Sequence, residues 1–205
     1  MPAVVPGTTS LHVLDEAVKH CTACDLYVHA TQAVFGEGRK TARVAAIGEQ
    51  PGDVEDRQGK PFVGPAGKVL SRALEEAGID RGDVYVTNAV KHFKFEERGK
   101  RRIHKKPDRA EIEACRPWLE AEMRAVRPEL IIAMGVTATE SVMKERLAIT
   151  PLRGRFAEHE WGTLLVTIHP SAILRAQPED RDREYRRFVQ DLKAAAGWLR
   201  QRSAA

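Results

Sequence analysis

Short apolar runs alternate with amphipathic segments along most of the chain. Four of these apolar runs end in turns that contain Gly, Asn or Pro, a pattern typical of buried strands. They are RVAAIGEQPG from Arg43, DVYVTNAV from Asp83, ELIIAMG from Glu129 and TLLVTIHPS from Thr163. Strands that alternate with helices form a parallel sheet with right-handed crossovers. The pattern therefore predicts an α/β fold.

The remaining segments with apolar residues at helical spacing predict helices over residues 10–21, 64–79, 108–128, 136–147 and 182–201. Ser10 is placed to cap the first helix, and Gly78 is placed to end the second. Pro117 lies inside the third helix. We expect it to kink that helix or divide it in two, because proline lacks the amide hydrogen that a helix interior needs.

The segment 91–106 shows no clear periodicity, and we predict a long loop there. It contains eight Lys or Arg residues against Glu96 and Glu97, a net charge of +6, whereas the whole chain carries +4. Such a concentration of positive charge is typical of proteins that bind polyanions. A solvated basic loop explains the same charges. The stretch GKRRIH at 99–104 places one histidine, His104, at the end of this run.

Length and composition limit the class of protein. The 205 residues suit a single domain over 1–205, and no apolar run approaches the roughly 20 residues needed to span a bilayer. The first ten residues lack the basic and apolar regions of a secretion signal, so we expect a cytoplasmic protein that does not engage membranes. Without a heptad pattern or a long exposed apolar stripe, we expect a monomer.

Polar side chains follow three of the four predicted strands. They are Glu49, Gln50 and Asp53 after the first strand, Asn88 after the second and His169 after the fourth. In open α/β sheets, ligands bind outside the carboxyl ends of the strands. We therefore predict that these side chains line one active cleft.

Each of these residues also has a simpler interpretation. An asparagine can form a turn instead of reading a base edge, and a lone histidine is more often structural than catalytic. Phe62, in the Gly/Pro-rich stretch 48–67, is either a core anchor or a flat stacking surface. That stretch matches neither GxGxxG nor a P-loop, which disfavours a nucleotide cofactor.

The three cysteines are Cys21, Cys24 and Cys115, an odd number that argues against a disulfide framework. The CxxC pair closes a predicted helix, whereas a redox CxxC would open one. We therefore favour a metal or cluster site, which requires a fourth ligand. His92 is the best candidate, followed by His20 and His29. Zinc and an iron–sulfur cluster both accept such ligands.

Taken together, these motifs resemble the uracil-DNA glycosylase superfamily over nearly the whole chain. GEQPG is similar to its first motif, PFVGPAG to its uracil-stacking segment, TNAVK to its base-reading strand and HPS to its second catalytic motif. The cysteines resemble those of the iron–sulfur glycosylases of family 4. That family usually has Ala or Gly where this chain has Gln50, and Cys where it has His92. With the inserted GKRRIH loop, these departures resemble the UdgX branch.

The resemblance implies a three-layer α/β/α fold around a four-stranded parallel sheet. It implies a [4Fe-4S] cluster held by Cys21, Cys24, His92 and Cys115. It also implies that the protein removes uracil from DNA, releases it as the free base and becomes covalently joined to the abasic site through His104. A stacked base cannot be reached, so it must be flipped out or come from single-stranded DNA, and we expect single-stranded DNA to be preferred.

Each site residue receives a role through the same resemblance. Uracil stacks on Phe62, Asn88 pairs with its edge, and His169 stabilises the negative charge on the leaving base. Glu49 and Asp53 either stabilise the cationic sugar or orient a water molecule, and Gln50 orients His104 by a hydrogen bond. Lys91 and Ser171 are further expected substrate contacts. Phosphates are expected to bind Lys100, Arg101, Arg102 and Lys105.

Two expectations refine this mechanism. The cations Arg101 and Arg102 keep the His104 imidazole neutral and nucleophilic, and the Gly52–Asp53 turn is the place where the methyl group of thymine is excluded. Two alternatives stay open. The protein could be an ordinary turnover glycosylase whose His104 only contacts phosphate, or a metal-containing module that binds DNA lesions without catalysis.

Overall fold

The computed structural model describes residues 1–203, with a central sheet between helices. Its strands are β1 (Val44–Gly48), β2 (Val84–Asn88), β3 (Phe95–Arg98), β4 (Arg101–His104), β5 (Leu130–Met134), β6 (Phe156–His159) and β7 (Gly162–Thr167). Its helices are α1 (Leu11–Val18), α2 (Asp53–Gln58), α3 (Pro65–Ala77), α4 (Arg109–Val126), α5 (Val136–Met143), α6 (Pro170–Arg175) and α7 (Pro178–Ser203).

The central sheet has the strand order β2-β1-β5-β7-β6 within residues 1–203. The strands β2, β1, β5 and β7 are parallel, as the apolar runs predict, and β6 is an additional antiparallel edge strand. Successive residues of β1 point to opposite faces: Val44 and Ala46 pack towards α3 and α7, whereas Ala45 and Ile47 pack towards α4 and α5. The result is an α/β/α arrangement, which confirms the predicted fold class.

The basic segment forms a β-hairpin, so the prediction of a long loop is wrong. β3 and β4 pair in antiparallel register, with Phe95 opposite His104 and Arg98 opposite Arg101. Gly99 adopts a φ of 61° at the tip, a conformation that glycine reaches without strain. The pairing places His104 at the end of a hydrogen-bonded strand.

α4 is continuous from Arg109 to Val126, so the predicted division at Pro117 does not occur. The helix packs on two sides, with Cys115 and Trp118 in one core and Leu119 and Met123 in another. We attribute its continuity to this burial, which offsets the loss of one backbone hydrogen bond.

Two predicted helix signals are confirmed, whereas α1 and α5 end three and four residues before the predicted positions. Ser10 accepts a hydrogen bond from the backbone of Val13 at the start of α1, and α3 ends at Gly78, which has a φ of 75°. α7 begins at Pro178, four residues before the predicted start of the tail helix at Asp182. No helix within residues 1–203 is long and apolar enough to cross a membrane.

Candidate active site

The carboxyl ends of the parallel strands open onto a cavity of about 390 Å³, which we call the base pocket. It brings together most of the predicted site residues from separate strand ends. Its wall includes Gln50, Asp53, Glu55, Phe62, Asn88, His104, His169, Ser171 and Arg175. A second cavity of about 590 Å³, the outer cavity, shares His104 and His169 with it and adds Glu49 and Gly135. His104 therefore lies on the wall common to both cavities.

Gly48, the last residue of β1, allows three functional groups to converge. A Cβ atom at this position would lie 2.4 Å from Asn88 Oδ1, 2.7 Å from Phe62 Cζ and 3.3 Å from His169 Nε2. The first two distances are too short for any real side chain. The backbone of β1 thus forms the floor on which an amide, an aromatic ring and an imidazole meet.

Phe62 has a positive φ of 57°, which is strained for a residue with a bulky side chain. Its ring centroid lies 6.2 Å from that of His169, with the planes tilted by 33°. Gly67 lets α3 approach this strained turn, because a Cβ there would lie 1.7 Å from the Phe62 carbonyl oxygen. The ring is a pocket wall as well as a contact of the core.

His169 is held in one tautomer by the start of α6. Its Nδ1 accepts a hydrogen bond from the Ser171 backbone N–H at 3.2 Å and lies 2.7 Å from Ser171 Oγ. Arg175 donates to the same hydroxyl at 2.9 Å, so the hydroxyl hydrogen is directed to Nδ1. The ring proton therefore resides on Nε2, which faces Asn88 and Phe62. Desolvation, aided by Arg175 and His104, lowers the pKa of His169 to about 4.

His104 is half-exposed, and its Nε2 lies 3.4 Å from Glu49 Oε1. Desolvation lowers its pKa from the usual value of 6.5, Glu49 opposes the change, and Arg175 adds to it. The imidazole is therefore neutral at neutral pH. The cation that helps to lower the pKa of His104 is Arg175, whereas we expected Arg101 and Arg102.

Gln50 does not bond to His104 but holds the base of the hairpin. Its Nε2 donates to the carbonyl oxygens of Lys94 at 3.1 Å and Lys105 at 3.0 Å, and its Oε1 accepts from the Lys94 backbone N–H at 3.1 Å. These bonds fix the residue that follows His104. The hydrogen bond that we expected between Gln50 and His104 is thus replaced by bonds to the backbone of the hairpin.

Arg102 is turned into the protein and pairs with α2. Its guanidinium donates to Asp53 Oδ1 at 2.5 Å and to Asp56 Oδ2 at 2.7 Å, and lies 4.9 Å from the centre of the Phe95 ring. Only 12% of its side chain is exposed. The structure thus gives Arg102 internal partners where we expected phosphate. Although burial acts in the opposite direction, hydrogen bonds from Arg57 and Arg102 lower the pKa of Asp53.

The other basic residues of the hairpin differ from Arg102 in their exposure. Lys100 and Arg101 lie at the tip and are exposed. Lys105 is also exposed, and its Nζ lies 2.7 Å from Glu96 Oε2. These three side chains keep the surface position that phosphate contacts require.

Lys91 is not a substrate contact, contrary to our expectation. Its side chain is fully buried and forms an ion pair with Glu122, whose side chain is also fully buried. It lies outside the wall of the base pocket because it points from the turn after β2 towards α4. Ser171, the other expected contact, lines the pocket and bonds to His169.

Comparison with known proteins identifies the family of this chain. Residues 35–193 match the uracil DNA glycosylase superfamily. The chain belongs to this superfamily. It is 36% identical to a type-4 uracil-DNA glycosylase of Thermotoga maritima over 193 residues, which cover 93% of this chain and 95% of the relative. It is 37% identical to that of Saccharolobus solfataricus over 180 residues (82% and 79%). It is 30% identical to a type-5 uracil-DNA glycosylase of Pyrobaculum aerophilum over 153 residues (66% and 64%).

Glu55 is a residue of this glycosylase fold that our sequence analysis missed. It is buried, lines the base pocket and accepts a hydrogen bond from the Gly64 backbone N–H at 2.8 Å. A Cβ at Gly52 would lie 2.7 Å from its Oε2, which places the carboxylate beside the Gly52–Asp53 turn. Its only sequence signal is a carboxylate inside the Gly/Pro-rich stretch 48–67, two residues after Asp53.

The cysteines of this superfamily member lie after the end of α1, at the start of the following 3₁₀ turn and within α4. Cys21 accepts a hydrogen bond from Trp118 Nε1 at 3.2 Å, and Cys115 accepts one from the Lys91 backbone N–H at 3.2 Å. Cys21 and Cys24 pack against the core that contains Cys115. His92 and Cys21 line one cavity of about 290 Å³. We call Cys21, Cys24, His92 and Cys115 the cysteine–histidine group.

Three thiols and one imidazole are ligands that an iron–sulfur cluster accepts. In residues 1–203, no three His, Cys, Asp or Glu side chains surround a point where one metal ion could bind. Each ligand of a four-iron cluster binds a different iron, so its ligands are spaced more widely than those of zinc. Burial lowers the pKa of His92, which favours the neutral, ligating imidazole. Burial raises the pKa of Cys115 to about 12, so its thiolate requires nearby positive charge, which a cluster would supply.

Proposed function

We propose that this protein removes uracil from single-stranded DNA and then bonds covalently to the abasic site through His104, as in the UdgX branch. The observation that carries the proposal is the position of His104, a neutral imidazole on the wall shared by the base pocket and the outer cavity. The protein acts as a monomer, and free uracil is its product.

Uracil binds between Phe62 and Asn88 in the proposed complex. The Asn88 side chain offers an N–H to O4 and a carbonyl oxygen to N3–H of uracil, whereas cytosine presents the opposite pattern. The buried carboxylate of Glu55 beside the same pocket disfavours the 5-methyl group of thymine. This discrimination requires that the base leaves the stack of the DNA.

Bond cleavage leaves negative charge on uracil and positive charge on the sugar. The C1′–N1 bond breaks with its electron pair on uracil, and His169 donates its Nε2–H hydrogen bond to the developing charge on O2. A neutral imidazole suits this task because its proton is held in a fixed direction. The carboxylate of Glu49 stabilises the cationic sugar, and Asp53 adds negative charge at the pocket wall.

His104 then forms a bond to C1′ with the lone pair of one ring nitrogen. The resulting imidazolium is stabilised by Glu49 and loses its remaining N–H proton to solvent, which leaves a neutral substituted imidazole. Nucleophilic catalysis needs a second step that releases the nucleophile. The neutral adduct has no comparable leaving group, so turnover stops.

The cysteine–histidine group would hold a [4Fe-4S] cluster in this proposal. When bound, the cluster supplies a covalent cross-link between α4, the α1 region and the turn after β2. Base excision itself uses the side chains of the base pocket.

Denaturing electrophoresis with a uracil-containing oligonucleotide tests the proposal. The wild-type protein should give an adduct that survives heat and SDS, and His104→Ser should give none while it still releases uracil. Lys100→Ser, a change on the same hairpin but away from the pocket, is the matched control and should retain the adduct. Multiple turnovers without an adduct would instead support an ordinary glycosylase, and binding without uracil release would support a lesion-binding module.

A further inference from the structure

A buried ion pair lies behind the base pocket and is not used in the mechanism above. Lys91 Nζ and Glu122 Oε2 are 2.5 Å apart, and both side chains are fully buried. Removing two charges from water is costly, and an apolar pair of similar size is often as stable or more stable. Stability is therefore a weak explanation for the pair, and its connections point to another role.

Glu122 is fixed by donors from several elements. Its Oε1 accepts hydrogen bonds from the Gly36 backbone N–H at 2.9 Å and from Tyr85 OH at 3.0 Å. Thr87 Oγ1 donates to the carboxylate at 2.9 Å from β2. The carboxylate therefore has little freedom, and it gives Lys91 a fixed point of attachment.

Lys91 connects the fixed carboxylate of Glu122 to Asn88, the residue proposed to read the base. Its Nζ donates to the Asn88 carbonyl oxygen at 2.8 Å and lies 2.7 Å from Thr87 Oγ1. The Asn88 carbonyl belongs to the last residue of β2, so the bond restrains the backbone from which the Asn88 amide projects. The side chain is thereby aimed at the pocket from behind.

The backbone of Lys91 connects to the cysteine–histidine group. Its N–H donates to Cys115 Sγ at 3.2 Å, its carbonyl accepts from the Val34 N–H at 2.8 Å, and His92 follows it in sequence. Lys91 thus contacts Asn88 through its side chain and Cys115 through its main chain.

We propose that Lys91 and Glu122 are positioning residues, which hold the Asn88 amide in place for uracil and tie it to the cysteine–histidine group. This inference rests on the proposed excision of uracil. It assigns the buried pair to substrate reading, although neither side chain contacts the substrate.

The first test replaces both charges with apolar groups, as Lys91→Met/Glu122→Leu. We expect the variant to fold with a lower melting temperature, because the Gly36 N–H and the Tyr85 hydroxyl lose their acceptor. Its excision rate at saturating DNA should be at least about tenfold lower. Adding Asn88→Ala should then cost much less than it does in the wild type, because residues that act through one another are not additive. Full activity of the folded variant, or additive losses, would overturn the inference.

A second pair of variants covers the case in which the double variant does not fold. Thr87→Val keeps the shape of the residue but removes the hydroxyl shared by Lys91 and Glu122, and Thr87→Ser retains it. We expect Thr87→Val to slow excision and Thr87→Ser to keep the wild-type rate. The NMR signals of the Asn88 side-chain amide, recorded without DNA, should shift in Thr87→Val and not in Thr87→Ser. Unmoved signals would refute the positioning role, whereas a wild type that releases no uracil would refute the proposed function alone.

Discussion

His104 Nε2 lies 3.4 Å from Oε1 of Glu49, and the other oxygen of that carboxylate accepts a hydrogen bond from Thr137 Oγ1. Thr137 of α5 thus orients the carboxylate of Glu49, which follows the end of β1 and faces the imidazole of His104. An anion beside a nucleophilic imidazole stabilises the cation that forms when the ring attacks carbon. This relationship leads to the first prediction.

Glu49→Gln should reduce the rate of adduct formation by about 100-fold, because the amide keeps the shape of the side chain but cannot offset the charge of the imidazolium or the sugar. Single-turnover gel assays measure this rate. Thr137→Val, which removes only the hydrogen bond to the carboxylate, should give a smaller loss. Equal rates for Glu49→Gln and the wild type would contradict the role of the charge.

The rate of adduct formation should fall in acid, at a pH below the usual imidazole pKa of 6.5. Desolvation and Arg175 lower the pKa of His104, so the neutral form persists to lower pH than in a free histidine. As the pH falls through this lowered value, the ring becomes protonated and loses its nucleophilic lone pair. A rate–pH profile of adduct formation tests this, and a midpoint above 6.5 would contradict it.

Uracil release by His104→Ser should continue to lower pH than adduct formation by the wild type. The relevant imidazole is then His169, whose pKa is lowered to about 4. Above that value the ring is neutral, and its Nε2–H is held in place by Ser171. We expect uracil release, measured by chromatography, to fall only near or slightly above pH 4, because His104→Ser removes the smallest of the three contributions that lower this pKa.

Arg102→Gln should weaken the hairpin and the covalent step together. The change leaves the carboxylate of Asp56 buried without its cation, which lowers the free energy of unfolding by about 3 kcal/mol. Because His104 lies two residues further along β4, the yield of adduct per uracil released should fall. The measurements are thermal unfolding and the ratio of adduct to free uracil.

Arg101→Gln is the matched change at the exposed neighbour and should act on DNA affinity alone. Loss of one phosphate contact reduces the salt slope of single-strand binding by about 0.7. The adduct yield at saturating DNA should equal that of the wild type. A fall in yield at saturation would place Arg101 in the chemistry, against our assignment.

The sequence allowed the parallel strands and most helices to be predicted because their apolar periodicity is strong. β6 was missed because its side chains are mostly exposed and it has only one neighbour, β7. The hairpin was missed because its strands are charged and carry no apolar alternation. What orders it is the interior pairing of Arg102 with Asp53 and Asp56, a contact between distant segments that no local pattern reports.

The sequence predicted correctly which strand ends meet at the site. It predicted less well which side chains contact one another there. Lys91 ends the TNAVK segment, and the resemblance of that segment to a base-reading strand made it an expected substrate contact. Its direction depends on Glu122, one of many acidic residues in the chain, and only the fold shows which one lies opposite. The same holds for Arg175, which the sequence did not distinguish from the other cations.

The hairpin is anchored by residues that lie outside it. Gln50 bonds to both of its ends, and α2 supplies the two carboxylates that receive Arg102. A GKRRIH segment moved alone into a turnover glycosylase would therefore arrive without its attachments, and its histidine would sample positions away from the sugar. Transfer of the proposed trapping chemistry would therefore require that Gln50, Asp53 and Asp56 are moved together with the hairpin.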